Sequence, residues 1–454
     1  MKILVIGDGK VGRVIAENAC QEGHEIIVID KNSSNIEEVV NKHDVIGITG
    51  NGASFDVLKT ADAGKCDLVV AATTNDETNI LACLISKKMG AKATVARVRN
   101  YEYSNQLQMI KNDLGITMPI NPEKETANEI FKILNFPAAV RVDSFANGRV
   151  DLVQIHIPQN NLLVGQSLRF ISEMYQIKVL VCAVERKGEV FIPFGDFVLE
   201  AGDRIYVTAN TRSTLRKFIE KASLADEKVK SVMIIGGGKI SAYLANELSA
   251  NKFDVKIIES DYERCEELSA LLPNVSIIHG DGTSQEVLFE EGLDTVDAVA
   301  CLTGNDEENI IVSMFASRNN VNKIITKVNK SSLNDLVKSI SNLSVVSTKE
   351  ITSSRVISFI RGIANKRGSN VVTLHKLIDN KVEAVEFIAK ENKRLINIPL
   401  KDLKIKKNFL LAAIIRDNNV IIPSGNDSIA LNDKVIVVTT TQFIKDLNEI
   451  KKII

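Results

Sequence analysis

The chain is written twice. KILVIGDGKVG (Lys2–Gly12) returns as SVMIIGGGKIS (Ser231–Ser241), which puts Gly7 and Gly236 229 residues apart. AATTNDETNI from Ala71 returns as CLTGNDEENI from Cys301, and VFIPFGD (Val190–Asp196) returns as VIIPSGN (Val420–Asn426), both 230 residues on. Solenoid repeats recur every ~20–45 residues, so a period this long marks duplicated domains and not a stacked array. A length of 454 residues suggests about three domains by itself. Each half holds two stretches of different texture, which raises the expectation to four.

Residues 1–138 alternate short β-branched runs (ILVI, IIVID, VIGI, LVVAAT, ATVARV) with amphipathic stretches of helix length. The runs lack the polar alternation of a one-faced sheet, so both faces should be covered, as in a parallel sheet of βαβ units. Residues 229–366 repeat the pattern with VMIIG, VKIIES, VSIIHG, AVACLT and KIITKV. Residues 139–223 and 367–454 read differently: VLVCAVERKGEVFIPFGD from Val179 and FLLAAIIRDNNVIIPSGND from Phe409 each look like two strands joined by a turn. Gly188 falls opposite Asn418 and Gly202 opposite Asn432, residue types that share a tolerance for positive φ. The expected fold class is therefore α/β, with duplicated parallel-sheet domains each followed by a small α+β, hairpin-rich domain. The polar stretch 222–230 reads as the connector between halves.

Gly7-Asp8-Gly9-Lys10-Val11-Gly12 follows an expected strand and opens an expected helix, and Asp30 ends the next strand. In a Rossmann-type unit the first glycine makes the tight turn, the second admits a pyrophosphate and the third lets helix and strand pack closely. Free N–H groups at the helix start favour phosphate, and Asp30 is placed to accept the hydroxyls of an adenosine ribose. A carboxylate there disfavours a 2′-phosphate, an inference that neighbouring Lys31 weakens. The second half carries Gly236-Gly237-Gly238-Lys239-Ile240, then Ser241 in place of the third glycine, and Glu259 after the next strand. Lys10 and Lys239 could each reach a terminal phosphate or simply point into water. Asn51 with Gly52, and Asp281 with Gly282, should form the wall beside the adenine. Thr73, Thr74 and Asn75, and Thr303 and Gly304, should face the crevice of the sheet, although Asn75 or Asp76 could equally cap the following helix. Arg97 and Lys327 end the fifth strands, where a cation can meet phosphate or form an ion pair.

Other chemistries lack their residues. Lys plus Arg number 56 against 57 Asp plus Glu, leaving no field to attract nucleic acid. The five histidines and six cysteines are scattered without metal-ligand spacing, and neither a nucleophile elbow nor a Walker loop is present. Aromatics are 5% with no Trp, so no stacking platform for single strands is expected. The amino-terminal apolar run is too short for a signal peptide, and no stretch reaches membrane-spanning length. A reducing, cytosolic setting without disulfides is the expectation.

The glycine loop with Asp30, the N-D-E-x-N-I segments at Asn75–Ile80 and Asn305–Ile310, the G-N-G and G-D-G pair and the two hairpin sections together resemble the TrkA family. The similarity runs the whole chain in the order N-domain, C-domain, N-domain, C-domain, which are regulator-of-potassium-conductance (RCK) domains. It implies a subunit without catalytic turnover that binds NAD(H) or ATP/ADP. It implies assembly as a homotetrameric ring, docked on the cytoplasmic face of a membrane-embedded Trk potassium channel subunit, with no direct membrane insertion. The resemblance makes Gly7–Gly12 the phosphate loop, Asp30 the ribose acid, Thr73 and Thr74 the crevice and Arg97 the phosphate cation, with Gly236–Ile240, Glu259, Thr303 and Lys327 their matches. The rival enzyme reading is an NAD-dependent oxidoreductase; a redox-sensing transcription regulator would need a basic recognition helix that the sequence lacks.

Overall fold

The computed structural model describes residues 1–100, 103, 106, 111–136, 139–224, 229–333, 337, 343–365, 371–378, 381–390, 395–441, 444 and 446–451. Residues 225–228 of the expected connector, and residues 138, 366 and 367 at the expected boundaries, lie outside the described residues.

The first apolar runs form β1 (Lys2–Ile6), β2 (Glu25–Asp30), β3 (Ile46–Thr49), β4 (Leu68–Ala71) and β5 (Ala93–Arg97), joined by β6 (Met118–Ile120) in a parallel sheet of order β3-β2-β1-β4-β5-β6. Helices α1 (Lys10–Gln21), α2 (Ser33–Lys42), α3 (Phe55–Thr60) and α4 (Asp76–Met89) connect the strands, and α5 (Pro122–Asn135) follows β6. Ile3, Val5, Ile26, Val28 and Val70 face one core; Leu4, Ile6, Ile27, Ile29 and Val69 face the other. Both faces are covered, as apolar runs without polar alternation require.

The second sheet is antiparallel: β7 (Ala139–Phe145), β8 (Val150–His156), β9 (Val179–Arg186), β10 (Glu189–Phe191) and β11 (Arg204–Ala209) in the order β10-β9-β11-β8-β7, with α6 (Leu168–Tyr175) and α7 (Arg212–Lys221). The third repeats the first: β12 (Ser231–Ile235), β13 (Asp254–Glu259), β14 (Ser276–His279), β15 (Ala298–Cys301), β16 (Lys323–Lys327) and β17 (Leu343–Val346), order β14-β13-β12-β15-β16-β17. Its helices are α8 (Lys239–Ala250), α9 (Tyr262–Leu271), α10 (Gln285–Glu290), α11 (Asp306–Arg318) and α12 (Thr348–Asn365). The fourth sheet, β18 (Val371–Leu377), β19 (Val382–Ile388), β20 (Phe409–Arg416), β21 (Asn419–Ile421) and β22 (Lys434–Thr439), matches the second strand for strand. The expected hairpins are β9–β10 and β20–β21. Their turns run through Lys187 and Gly188 (φ 52° and 83°) and Asp417 and Asn418 (φ 47° and 69°), a two-residue geometry suited to twisted strands. Gly202 and Asn432 likewise share positive φ, at 86° and 66°.

Two features escape the strand pattern. The sixth strands are only three and four residues long, one of them containing Pro119, and carry no periodic signal. The helices that follow them do not stay at home. Ala127, Ile130 and Leu134 of α5 pack in one core with Leu244, Ala245 and Leu248 of α8, across the chain. Val356, Ile357 and Ile360 of α12 pack with Val11, Ile15 and Ala19 of α1. Polar contacts differ between these two joints: Arg361 forks onto Glu22 at 3.1 and 2.5 Å on the α1–α12 side, whereas Asn121 meets the Tyr243 hydroxyl at 3.0 Å on the other. The two antiparallel sheets also share a core, in which Leu152, Ala183 and Tyr206 meet Ala384, Ala413 and Val438.

Lys323 opens β16 with its side chain buried, and its ammonium donates to the Ala139 carbonyl at the start of β7, tying the third sheet to the second. Burial without a carboxylate partner lowers its pKa to about 7, against an ordinary 10.5. Above pH 7 the unfolded chain binds a proton at Lys323 that the folded chain has released, so this residue makes stability rise with pH up to about 10. Urea-unfolding midpoints measured across that range should climb in the wild type, and Lys323→Met should flatten the climb.

Candidate functional site

Both parallel sheets reverse strand order at their middle, between β1 and β4 and between β12 and β15, and a crevice opens there at the strand carboxyl ends. The first glycines make the turn into it: Gly7 and Gly236 have φ of +96° and +93°, with the Thr73 and Thr303 backbones about 3 Å from where a Cβ would stand. Gly9 and Gly238 are the N-caps of α1 and α8 and offer no side chain, whereas Asn32, Asn75, Asn121 and Asn305 cap the neighbouring helices α2, α4, α5 and α11. Among the described residues no side chain caps the first-turn N–H groups of the two glycine-loop helices, which leaves donors and a positive dipole end for an anion. Nothing lies within 4 Å of a Cβ built on Gly9 or Gly238, so the approach is open. Lys10 and Lys239 stand exposed at the same mouths, followed by buried Val11 and Ile240.

Gly12 meets the loop differently, since a Cβ there would come 1.8 Å from the Gly7 carbonyl oxygen. In the second half that place belongs to Ser241, fully buried, whose hydroxyl donates to the matching Gly236 carbonyl. The second loop thus carries a side chain where the first has none, and its hydroxyl bonds the carbonyl that bounds this place.

Asp30 and Glu259 sit where sequence reasoning put them, at the ends of β2 and β13, and each already holds its loop. Asp30 accepts from Asp8 N at 2.6 Å and Asn32 N at 2.8 Å; Glu259 accepts from Gly237 N at 2.5 Å and Asp261 N at 2.9 Å. Asp8 is buried, which pushes its carboxyl above the usual range, while the Arg13 fork at 2.7 and 3.1 Å pulls it back. Arg13 also pairs with Glu38 at 2.7 Å. In the second loop Gly237 stands at the Asp8 position, and a guanidinium arrives from another helix: Arg264 of α9 donates to the Gly237 carbonyl at 2.8 Å and pairs with Glu267 at 2.7 Å.

The remaining expected residues stand at or just after the carboxyl ends of the third, fourth and fifth strands of each parallel sheet. Asn51 and Asp281 are exposed and fold their side chains back onto Ala53 N and Thr283 N, while Gly52 and Gly282 press against Ile6 and Ile235. Thr73 and Thr303 are fixed by Asn79 and Asn309, whose side-chain oxygens accept from the threonine N–H groups at 2.9 Å and whose amides reach the carbonyls of Arg97 and Lys327. Thr74 and Gly304 are exposed, and Asn75 caps α4 by accepting from Thr78 N at 2.6 Å. Arg97 donates to the Thr73 carbonyl at 2.9 Å, and Lys327 to that of Leu302 at 3.3 Å. Burial holds both cations below their ordinary pKa values. Sequence reasoning gave no role to Arg13, Arg264, Asn79 or Asn309. The two asparagines were within reach, because they are the second Asn of both N-D-E-x-N-I copies.

Profiles of known families match this layout. The TrkA-N domain matches residues 3–122 and 232–348, and the TrkA-C domain matches residues 152–221 and 384–452. The chain belongs to the TrkA family. It is 31% identical over 451 residues to a Trk system potassium uptake protein TrkA homolog of Archaeoglobus fulgidus, covering 99% of this chain and 100% of the relative. It is also 31% identical over 444 residues to the Trk system potassium uptake protein TrkA of Vibrio alginolyticus, covering 96% and 95%. Among solved structures, the GsuK RCK domain superposes with a TM-score of 0.62 at 15% identity, covering 97% of this chain and 92% of that one. The GsuK channel bound to NAD gives 0.61 at 14% identity, covering 97% and 77%. The fold of this TrkA-family chain is thus a tandem RCK fold.

The loop geometry separates two glycines by their cost. Gly12→Ala forces overpacking and should destabilise the protein by about 1–3 kcal/mol, whereas Gly9→Ala, facing open space, should cost less than about 1 kcal/mol. Denaturant midpoints of the two variants check this.

Proposed function

We propose that this chain is the nucleotide-binding regulatory subunit of a Trk-type potassium uptake system. NAD(H) or ATP/ADP occupies the clefts at Gly7–Gly12 and Gly236–Ile240, with phosphate over the uncapped helix starts and ribose at Asp30 and Glu259. No turnover is assigned to it. Its place is the cytoplasmic side, against a membrane-embedded channel subunit; among the described residues no helix is long and apolar enough to cross a membrane. We take the divisions 1–138, 139–223, 229–366 and 367–454 as the four domains of this assembly.

The observation that carries this reading is the exchange of α5 and α12. The helix opened by each phosphate loop is packed by the crossover helix of the other half. A ligand that pulls on α1 or α8 therefore changes how the halves pack, which is a movement a channel can feel. A ~100-fold preference for one packing supplies roughly 2.7 kcal/mol, enough to shift a near-balanced gate. Calorimetric titration should give sub-millimolar binding of NADH or of ATP/ADP. Asp30→Ala should weaken binding at the first cleft by about tenfold or more, the scale of a lost charge-assisted hydrogen bond. Failure of every one of these nucleotides to bind would remove the effector.

Ring assembly has its own support. Leu81 and Ile311, matched on α4 and α11, are 46% and 65% exposed; Phe55 is exposed near Leu84 and Ile85 of α4, and Met314 and Phe289, the latter against Phe315 of α11, are exposed in the second half. Apolar surface repeated at one place on both halves suits a contact made over and over around a ring. The double variant Leu81→Glu, Ile311→Glu should break the expected tetramer into smaller species by light scattering, with its secondary structure retained.

A further inference from the structure

The first cleft holds a carboxylate beside its cation. Glu123, the second residue of α5, lies 3.8 Å from Arg97, and both side chains are largely buried. One oxygen of Glu123 and the Nε of Arg97 are buried without a hydrogen-bond partner. The geometry leaves polar capacity unspent at the place where the first cleft would hold phosphate. Glu123 and Lys10, both of the first half, also lie within electrostatic reach of Lys327, the cation of the second cleft. One carboxylate thus pairs with the cation of the first cleft and acts at longer range on that of the second.

The second crossover helix does not repeat it. Strand register sets Arg97 opposite Ile120 and Lys327 opposite Val346, so Glu123, three residues beyond Ile120, corresponds to Lys349, three beyond Val346. A carboxylate on one helix is replaced by an ammonium on the other. The pair of clefts is therefore electrostatically lopsided although its backbone is duplicated.

We propose that Glu123 is a built-in competitor of ligand phosphate, which ranks nucleotides by their phosphate charge. The inference rests on the nucleotide reading of these clefts. A phosphate reaching the start of α1 must share Arg97 with a carboxylate already paired to it, and like charges in one site disfavour each other. A triphosphate brings more charge to that place than the pyrophosphate of a dinucleotide, and so loses more. Lys327 feels Glu123 only at longer range, so the effect is larger at the first cleft than at the second.

The test uses the full-length protein, Glu123→Gln and Glu123→Ala, titrated calorimetrically with NADH, ADP and ATP in magnesium-free buffer. Both variants should bind ATP more tightly by about tenfold, ADP by less, and NADH by under about twofold, the sign expected for removing a nearby like charge. Equal changes for all three ligands, or weaker ATP binding in either variant with an unchanged melting temperature, would overturn the proposal. If the wild type binds none of them, the nucleotide reading itself fails. If it binds them and the variants keep its affinity ratios among the three, only the role of Glu123 falls.

Discussion

Each glycine-loop helix is buried by a helix from the opposite half, and the rest of the architecture answers to that exchange. Without α12, the outer face of α1 around Val11, Ile15 and Ala19 would stand open; without α5, Leu244 and Leu248 of α8 would do the same. Fully burying such a side chain is worth about 1.5–3 kcal/mol, so a handful on each joint makes the halves one folded body. The same joints bury the flanks of the two helices that the glycine loops open. A site that binds at a helix start and a core that packs on that helix's flank are then mechanically continuous.

The crevices are held together by the chain's own hydrogen bonds. Asp30 and Glu259 accept loop N–H groups, Asn79 and Asn309 pin the fourth strand end to the fifth, and Asp76 and Asp306 accept from the backbone after the fifth strands. Preformed geometry lowers the ordering cost of binding. On the proposed reading the carboxylates would have two duties, holding the loop and facing the ribose.

Duplication preserved backbone more strictly than charge. Asp8 and Arg13 neutralise each other in the first loop, while in the second a glycine has no charge to answer and Arg264 reaches a carbonyl. Glu123 against Lys349, and Arg361 with Glu22 on one joint against Tyr243 on the other, continue the pattern. The two halves are alike in fold and unlike in electrostatics, so they need not answer one ligand equally.

The first five strands of each parallel sheet, the glycine turns and the Gly188/Asn418 hairpin turns were legible in the chain because each rests on local spacing, and the repeat because matched segments recur at a constant offset, which also placed Asp30 and Glu259. The partner of α5 or α12 was not: an amphipathic face says that a helix is covered, never by what. Nor could spacing reveal that Arg13 and Arg264 serve equivalent loops, since Ala242 and Asn35 hold the positions that duplication would predict for them. Glu123 reads as an ordinary first-turn acid until the register of β6 on β5 brings it to Arg97. Local backbone chemistry was decided by the sequence alone, and only the packing of one half on the other decided which charges meet, because those contacts join residues that no periodicity connects.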